Sequence, residues 1–168
     1  YNRRRQDILF GISTFTTAMI TIKKISKAQL PKLVEASYLG DDELIEKYHH
    51  LSPIGLPTKE MAIMATLQRI HEASQEVDLS YYKVIFEKKP IGYFVTFDNC
   101  LYSFCIAKRY RNREVLQRWF SNVKKVLGTP FQCVLYTHNT RAIKHLVKQG
   151  MEVKNIDEKN NLTTLIYY

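Results

Sequence analysis

Leu101-Tyr-Ser-Phe-Cys-Ile-Ala-Lys-Arg-Tyr-Arg-Asn-Arg-Glu-Val-Leu116 changes period halfway along. Leu101 to Ile106 is rich in apolar and aromatic residues and reads as a strand. After Tyr110 the spacing becomes helical. Val115, Leu116, Trp119, Phe120, Val123, Val126 and Leu127 form a broad apolar stripe. Gly128 caps that helix and Pro130 follows. A strand running through a short basic loop into an amphipathic helix is the unit from which the rest of the chain can be read.

Upstream of Leu101 lie short strands and tight turns. Tyr81 to Glu87 reads as a strand, Lys88-Lys89-Pro90 as a turn, Ile91 to Phe97 as a strand and Asp98-Asn99 as a second turn. Connections this short make an antiparallel meander. Further upstream, Ile20, Ile22 and Ile25 suggest a strand, and Ser26 opens a helix to about Leu39. Asp41 and Asp42 open a second, short helix to about Leu51. Ser52-Pro-Ile-Gly-Leu-Pro57 is a loop, and Thr58 starts a helix to about Gln75. Downstream, Phe131 to Thr137 is a strand, Asn139 opens a helix ending at Gly150, and Met151 to Ile156 and Leu162 to Tyr168 are closing strands. The expected fold is one α/β domain with a mixed, mostly antiparallel sheet flanked by helices, in the order β-α-α-α-β-β-β-α-β-α-β-β. It spans 19–168, with 1–18 as an arm or leader that carries Arg3-Arg4-Arg5 and then apolar residues able to dock on a protein partner.

The chain of 168 residues is 45% apolar and 24% charged, which excludes disordered, collagen-like and coiled-coil classes. Its length supports a core without disulfide or metal staples. Cys100, Cys105 and Cys133 include no CxxC pair, and no His stands at zinc-ligand spacing from them. They read as free core thiols of a reducing compartment, which points to the cytoplasm. No apolar run is long enough to span a bilayer.

The net charge of +9 points to a polyanionic partner such as nucleic acid, an acidic surface or a phosphorylated cofactor, or else marks a merely soluble basic protein. Between Lys108 and Lys125 there are seven Lys or Arg residues and one acid, Glu114. Most of the excess charge therefore sits beside a loop and a helix start, where free N–H groups and the helix dipole bind phosphate.

The element order resembles that of the GNAT (N-acetyltransferase) superfamily over about 150 residues, from Met19 onward. Two local motifs carry the resemblance. Leu101–Leu116 is similar to the family's acyl-CoA segment, in which Arg-x-x-Gly-x-Gly/Ala opens a helix. Asn139-Thr-Arg-Ala-Ile-Lys-His-Leu-Val-Lys-Gln-Gly-Met151 is similar to the family's late helix, Asn-x-x-Ala continuing to Gly-Phe. The resemblance implies acetyl-CoA as cosubstrate and an amine, on a small molecule or a protein, as direct acceptor. It implies binding by Cys105 and Ile106 through backbone N–H groups at the thioester carbonyl. Arg111, Asn112, Arg113, Glu114, Val115 and Leu116 would take the pyrophosphate, and Asn139 would cap its helix and touch the cosubstrate.

This chain departs from the pattern at three positions. Glu114 and Leu116 replace the loop glycines, and Glu114 brings a carboxylate to a phosphate site unless it pairs with Arg111 or Arg118. Leu146 stands where the family often has the tyrosine that protonates the leaving thiolate, and leucine has no proton to give. His138, just past the fifth strand, is the candidate substitute, against its reading as a helix-start or surface residue. The alternatives are a degenerate module that binds without catalysis and, ranking below it, nucleic-acid binding through the patch from Lys108 to Lys125, with Tyr102, Phe104, Tyr110 and Trp119 nearby for stacking, although the apolar stripe claims Trp119 for the core. The glycine-free loop also resembles loops of phage-encoded members, which would place the protein in a host cytoplasm or a virion.

Overall fold

A computed structural model describes residues 19–41 and 58–168. Strand β1 spans Ile20–Ile25, and α1, Leu30–Ser37, follows a 3-10 turn at Lys27–Gln29. Helix α2 is Lys59–Glu76. The meander is β2 at Ser80–Phe86, β3 at Lys89–Phe97 and β4 at Cys100–Ile106. Then come α3 at Arg113–Leu127, β5 at Phe131–Tyr136, α4 at Thr140–Lys148, β6 at Glu152–Asp157 and β7 at Leu162–Tyr167. The expected second helix, the Ser52–Pro57 loop and the arm at 1–18 lie outside the described residues.

One seven-stranded sheet runs β1-β2-β3-β4-β5-β7-β6. Its pairs are antiparallel except β4 with β5, which is parallel. Helices α1 and α2 cover one face, where Leu30, Leu33 and Val34 pack with Tyr81, Tyr93 and Val95. Helices α3 and α4 cover the other, where Val115, Trp119, Phe120, Val123 and Leu146 pack with Val84, Phe94 and Leu101. Helical spacing on α3 and alternation on β3 thus build two cores with the sheet between them. Thr58 caps α2 by accepting from the Met61 N–H at 3.1 Å. No helix among the described residues is long and apolar enough to cross a membrane.

The β2–β3 turn is displaced from the expected Lys88-Lys89-Pro90. The turn residues are Glu87 and Lys88, at φ 47° and 65°, while Lys89 and Pro90 already pair in β3 with Phe86 and Ile85. Two left-handed residues match the right-handed twist of a two-residue hairpin. Pro90 is tolerated because the register slips beside it, leaving Ile91 unpaired in a bulge.

Candidate active site at the splayed strands

Strands β4 and β5 pair only at Cys100 with Gln132 and Leu101 with Cys133. Beyond Leu101 they separate. The cause lies in β4, where Leu101 faces Thr96 and Ser103 faces Val95, so Tyr102 is an extra, bulged residue. A bulge bends its strand and increases the local twist. From there β4 follows β3 as far as Ile106 opposite Gly92, while β5 follows β7 as far as Tyr136 opposite Leu162. The wedge between them is a cavity of about 320 Å³. Tyr38, Thr66, Arg69 and Ile70 line it from the α1/α2 side, and Leu116, Trp119, Ala142 and His145 from the α3/α4 side. It is a passage through the sheet, open to both helical layers.

The edge of β4 along the wedge has no strand partner past Leu101 among the described residues. The Ala107 N–H donates to the Ile91 carbonyl at 2.8 Å, so residue 107 faces β3. Alternation turns the N–H and C=O of Ile106 the other way, toward the wedge. The Ile106 carbonyl bears this out by accepting from Arg111 Nε at 2.6 Å. The Ile106 N–H is thus a backbone donor aimed at the gap, while Cys105 meets it through its buried side chain. Gly92 keeps β3 and β4 close here, since a Cβ at that position would overlap the Cys105 carbonyl oxygen and come within 2.8 Å of Ile106 Cδ1.

The loop after β4 differs from the expected phosphate grip. Arg111 turns inward and forms an ion pair with Asp41, which is fully buried. Its Nη2 also lies 3.5 Å from Cys105 Sγ. Arg141 of α4 stands 3.7 Å from the same carboxylate. Burial pushes the Cys105 thiol pKa up, with Arg111 opposing it, and all three cysteines are free and buried. Asn112 caps α3, accepting from the Val115 N–H at 2.9 Å with its side chain and from the Leu116 N–H at 3.0 Å with its carbonyl. That leaves the N–H groups of Arg113 and Glu114 as the first-turn donors without a partner among the described residues. Glu114 turns away to Arg118 at 2.9 Å, so its carboxylate is not aimed at those donors.

On α4, Asn139 lines the wedge and caps the helix, accepting from the Ala142 N–H at 3.4 Å. Leu146 is fully buried in the core. His138 does not line the wedge; its ring stacks on Tyr136 at 5.5 Å. The histidine that does line it is His145, 5.8 Å from Trp119. Burial, helped by Lys148 and Arg111, lowers the His145 pKa to about 4. Neither His145 Nε2 nor Trp119 Nε1 has a hydrogen-bond partner among the described residues. Sequence reasoning missed His145, Asp41 and Arg69. His145 and Asp41 sit inside segments whose helix and cap signals accounted for them, and nothing in the spacing of Arg69 marks an inward position.

No protein-family model matches the sequence, and no curated protein matches it. Solved structures do match. An acetyltransferase from Thermus thermophilus superposes with a TM-score of 0.63 at 17% identity, over 89% of this chain and 96% of that one. A Salmonella typhimurium acetyl transferase that modifies the N-terminal serine of a ribosomal subunit protein gives 0.60 at 7%, over 90% and 95%. A spermidine N-acetyltransferase from Vibrio cholerae, solved with CoA and spermine, gives 0.55 at 10%, over 88% and 92%. The chain has the GNAT acetyltransferase fold.

Proposed function

We propose that the protein is an acyl-CoA-dependent N-acyltransferase that moves an acetyl group from acetyl-CoA to an amine. The wedge between β4 and β5, with an unpaired backbone edge along it, is the observation that carries this reading. The Ile106 N–H is the donor for the thioester carbonyl, where charge develops during attack. Leu116, Trp119 and Ala142 give the cosubstrate an apolar wall, and Asn139 a polar contact. The N–H groups of Arg113 and Glu114, at the positive end of α3, take the pyrophosphate. Arg111 acts one step back, fastening the end of β4 to Asp41. The amine enters from the α1/α2 side. Its nitrogen bonds to the acetyl carbon, the carbon–sulfur bond breaks, and the electron pair leaves on sulfur. The proton lost by nitrogen balances the one gained by sulfur. Leu146 supplies no proton, so its delivery passes to other groups. Tyr38, Tyr102 and Tyr136 bring phenols into the wedge, and burial keeps Tyr38 protonated well above neutral pH.

A second reading, binding without turnover, draws support from the glycine-free loop and from Leu146. Nucleic-acid binding through Lys108–Lys125 is weaker, because Arg111 and Arg118 are engaged by Asp41 and Glu114. A cytoplasmic setting fits the three free thiols. Residues 1–18 are proposed as an arm that meets a protein partner. Calorimetry with acetyl-CoA is the test, with a micromolar dissociation constant expected. Absence of heat at millimolar ligand removes the site and the enzyme together. Thiol release with any amine rejects the binding-only reading.

A further inference from the structure

The acceptor side of the wedge holds a cation that the transfer chemistry above leaves unused. Arg69 projects from α2 into the cavity. Its Nε donates to Tyr102 Oη at 3.2 Å. Its guanidinium carbon lies 5.4 Å from the Tyr102 ring centroid and 5.2 Å from that of Tyr136. Tyr102 is the bulged residue of β4 and Tyr136 the last residue of β5. Arg69 therefore bridges the two strands where they have parted.

No carboxylate among the described residues answers this guanidinium. Asp41 is engaged by Arg111 and Arg141. The two terminal nitrogens of Arg69 have no hydrogen-bond partner among the described residues. Three arginines line the cavity, Arg69, Arg111 and Arg141, and no Asp or Glu among the described residues lines it. Two tyrosine rings restrain the guanidinium through cation–π contact, so little freedom is lost when a ligand binds. What remains to be met is a planar fork of N–H donors, which matches a carboxylate with two parallel hydrogen bonds. The same charge repels a polycationic acceptor.

We propose that the acceptor is a small amine that also bears a carboxylate, of the amino-acid class, and that Arg69 holds the carboxylate while the amine faces the thioester. This rests on the N-acyltransferase reading for the transfer, but the carboxylate site is testable without it. Free amino acids would be compared with the matching amides and methyl esters, with spermidine as a cationic control, by thiol release. The wild-type protein is expected to prefer the acids by about tenfold or more in kcat/KM. Arg69→Met should abolish that preference, chiefly through KM, and Arg69→Lys should keep part of it. Amides, esters or spermidine performing as well as acids would overturn the proposal, as would an undiminished preference in Arg69→Met. If no amine is turned over, thermal-shift binding of the same pairs decides. Stabilisation by an acid, absent with its amide and lost in Arg69→Met, supports the carboxylate site. No stabilisation by any acid at about ten millimolar overturns it. Acetyl-CoA calorimetry, run in parallel, reports separately on the transferase reading.

Discussion

His145 should make this protein acid-sensitive in a way that one substitution removes. Its imidazole is half-buried against Trp119, with Lys148 and Arg111 near enough to oppose its protonation. The folded-state pKa is lowered to about 4 from 6.5. The unfolded chain therefore takes up the proton first as pH falls. Stability from neutral His145 is fully present above pH 6.5 and is lost as pH falls from there toward 4. A fall of that size corresponds to about 3 kcal/mol. The ring keeps partial solvent contact, so screening reduces the figure to about 2 kcal/mol between pH 7 and 4.5. Urea unfolding of wild type and His145→Gln at both pH values isolates this contribution, because carboxylates titrate alike in the two proteins. The variant should lose about 2 kcal/mol less than wild type on acidification. Equal losses would refute the assignment of a desolvated, neutral His145 in the wedge, and a larger loss in the variant would reverse its sign.

Three other substitutions probe the frame of the site. Gly92→Ala forces a methyl group onto the Cys105 carbonyl and should cost about 2 kcal/mol or more in urea unfolding, with weaker acetyl-CoA binding as the β4 edge shifts. Asp41→Asn removes the charge that Arg111 pairs with in a buried setting; about 3 kcal/mol is expected, and adding Arg111→Met should recover part of it. A loss in Asp41→Asn well below 1 kcal/mol, read from chemical denaturation, would mean that the pair is not structural. Asn112→Ala removes the α3 cap and should cost about 1 kcal/mol, measurable as a fall of a few degrees in Tm.

Most of the fold could be read because local signals agreed with tertiary structure. The helical stripe from Val115 to Val123, the Asn139 cap and the Asp98-Asn99 turn each name an element unaided. The Glu87-Lys88 turn could not be read that way, since neither residue is a usual left-handed former and Pro90 drew the expected turn two residues too far. The site divides similarly. Asn139 is legible as a cap and Ile106 as the end of a strand. The bulge at Tyr102 has no glycine to announce it, and it decides where β4 leaves β5. Arg69 and His145 line the wedge from α2 and α4, and Asp41, past the end of α1, reaches it through Arg111, so no spacing rule could have assembled them.

The inward turn of Arg111 changes what the basic loop means. A guanidinium bound to Asp41 and to the Ile106 carbonyl is not free for phosphate. It serves instead to fix the last residue of β4 with its N–H toward the gap. Glycine would be required in the loop if backbone had to close around a pyrophosphate. Here Glu114 and Leu116 lie within the first turn of α3, in helical backbone where a side chain is no obstacle, and Glu114 is held aside by Arg118. The loss of the glycines and the burial of Arg111 are thus two sides of one arrangement. On the N-acyltransferase reading, the phosphates are left to two N–H groups, a helix dipole and Arg113, and the shape of the wedge carries more of the recognition. On that same reading, Arg111 and Asp41 hold the strand end in place, while Arg69 on α2 chooses what enters.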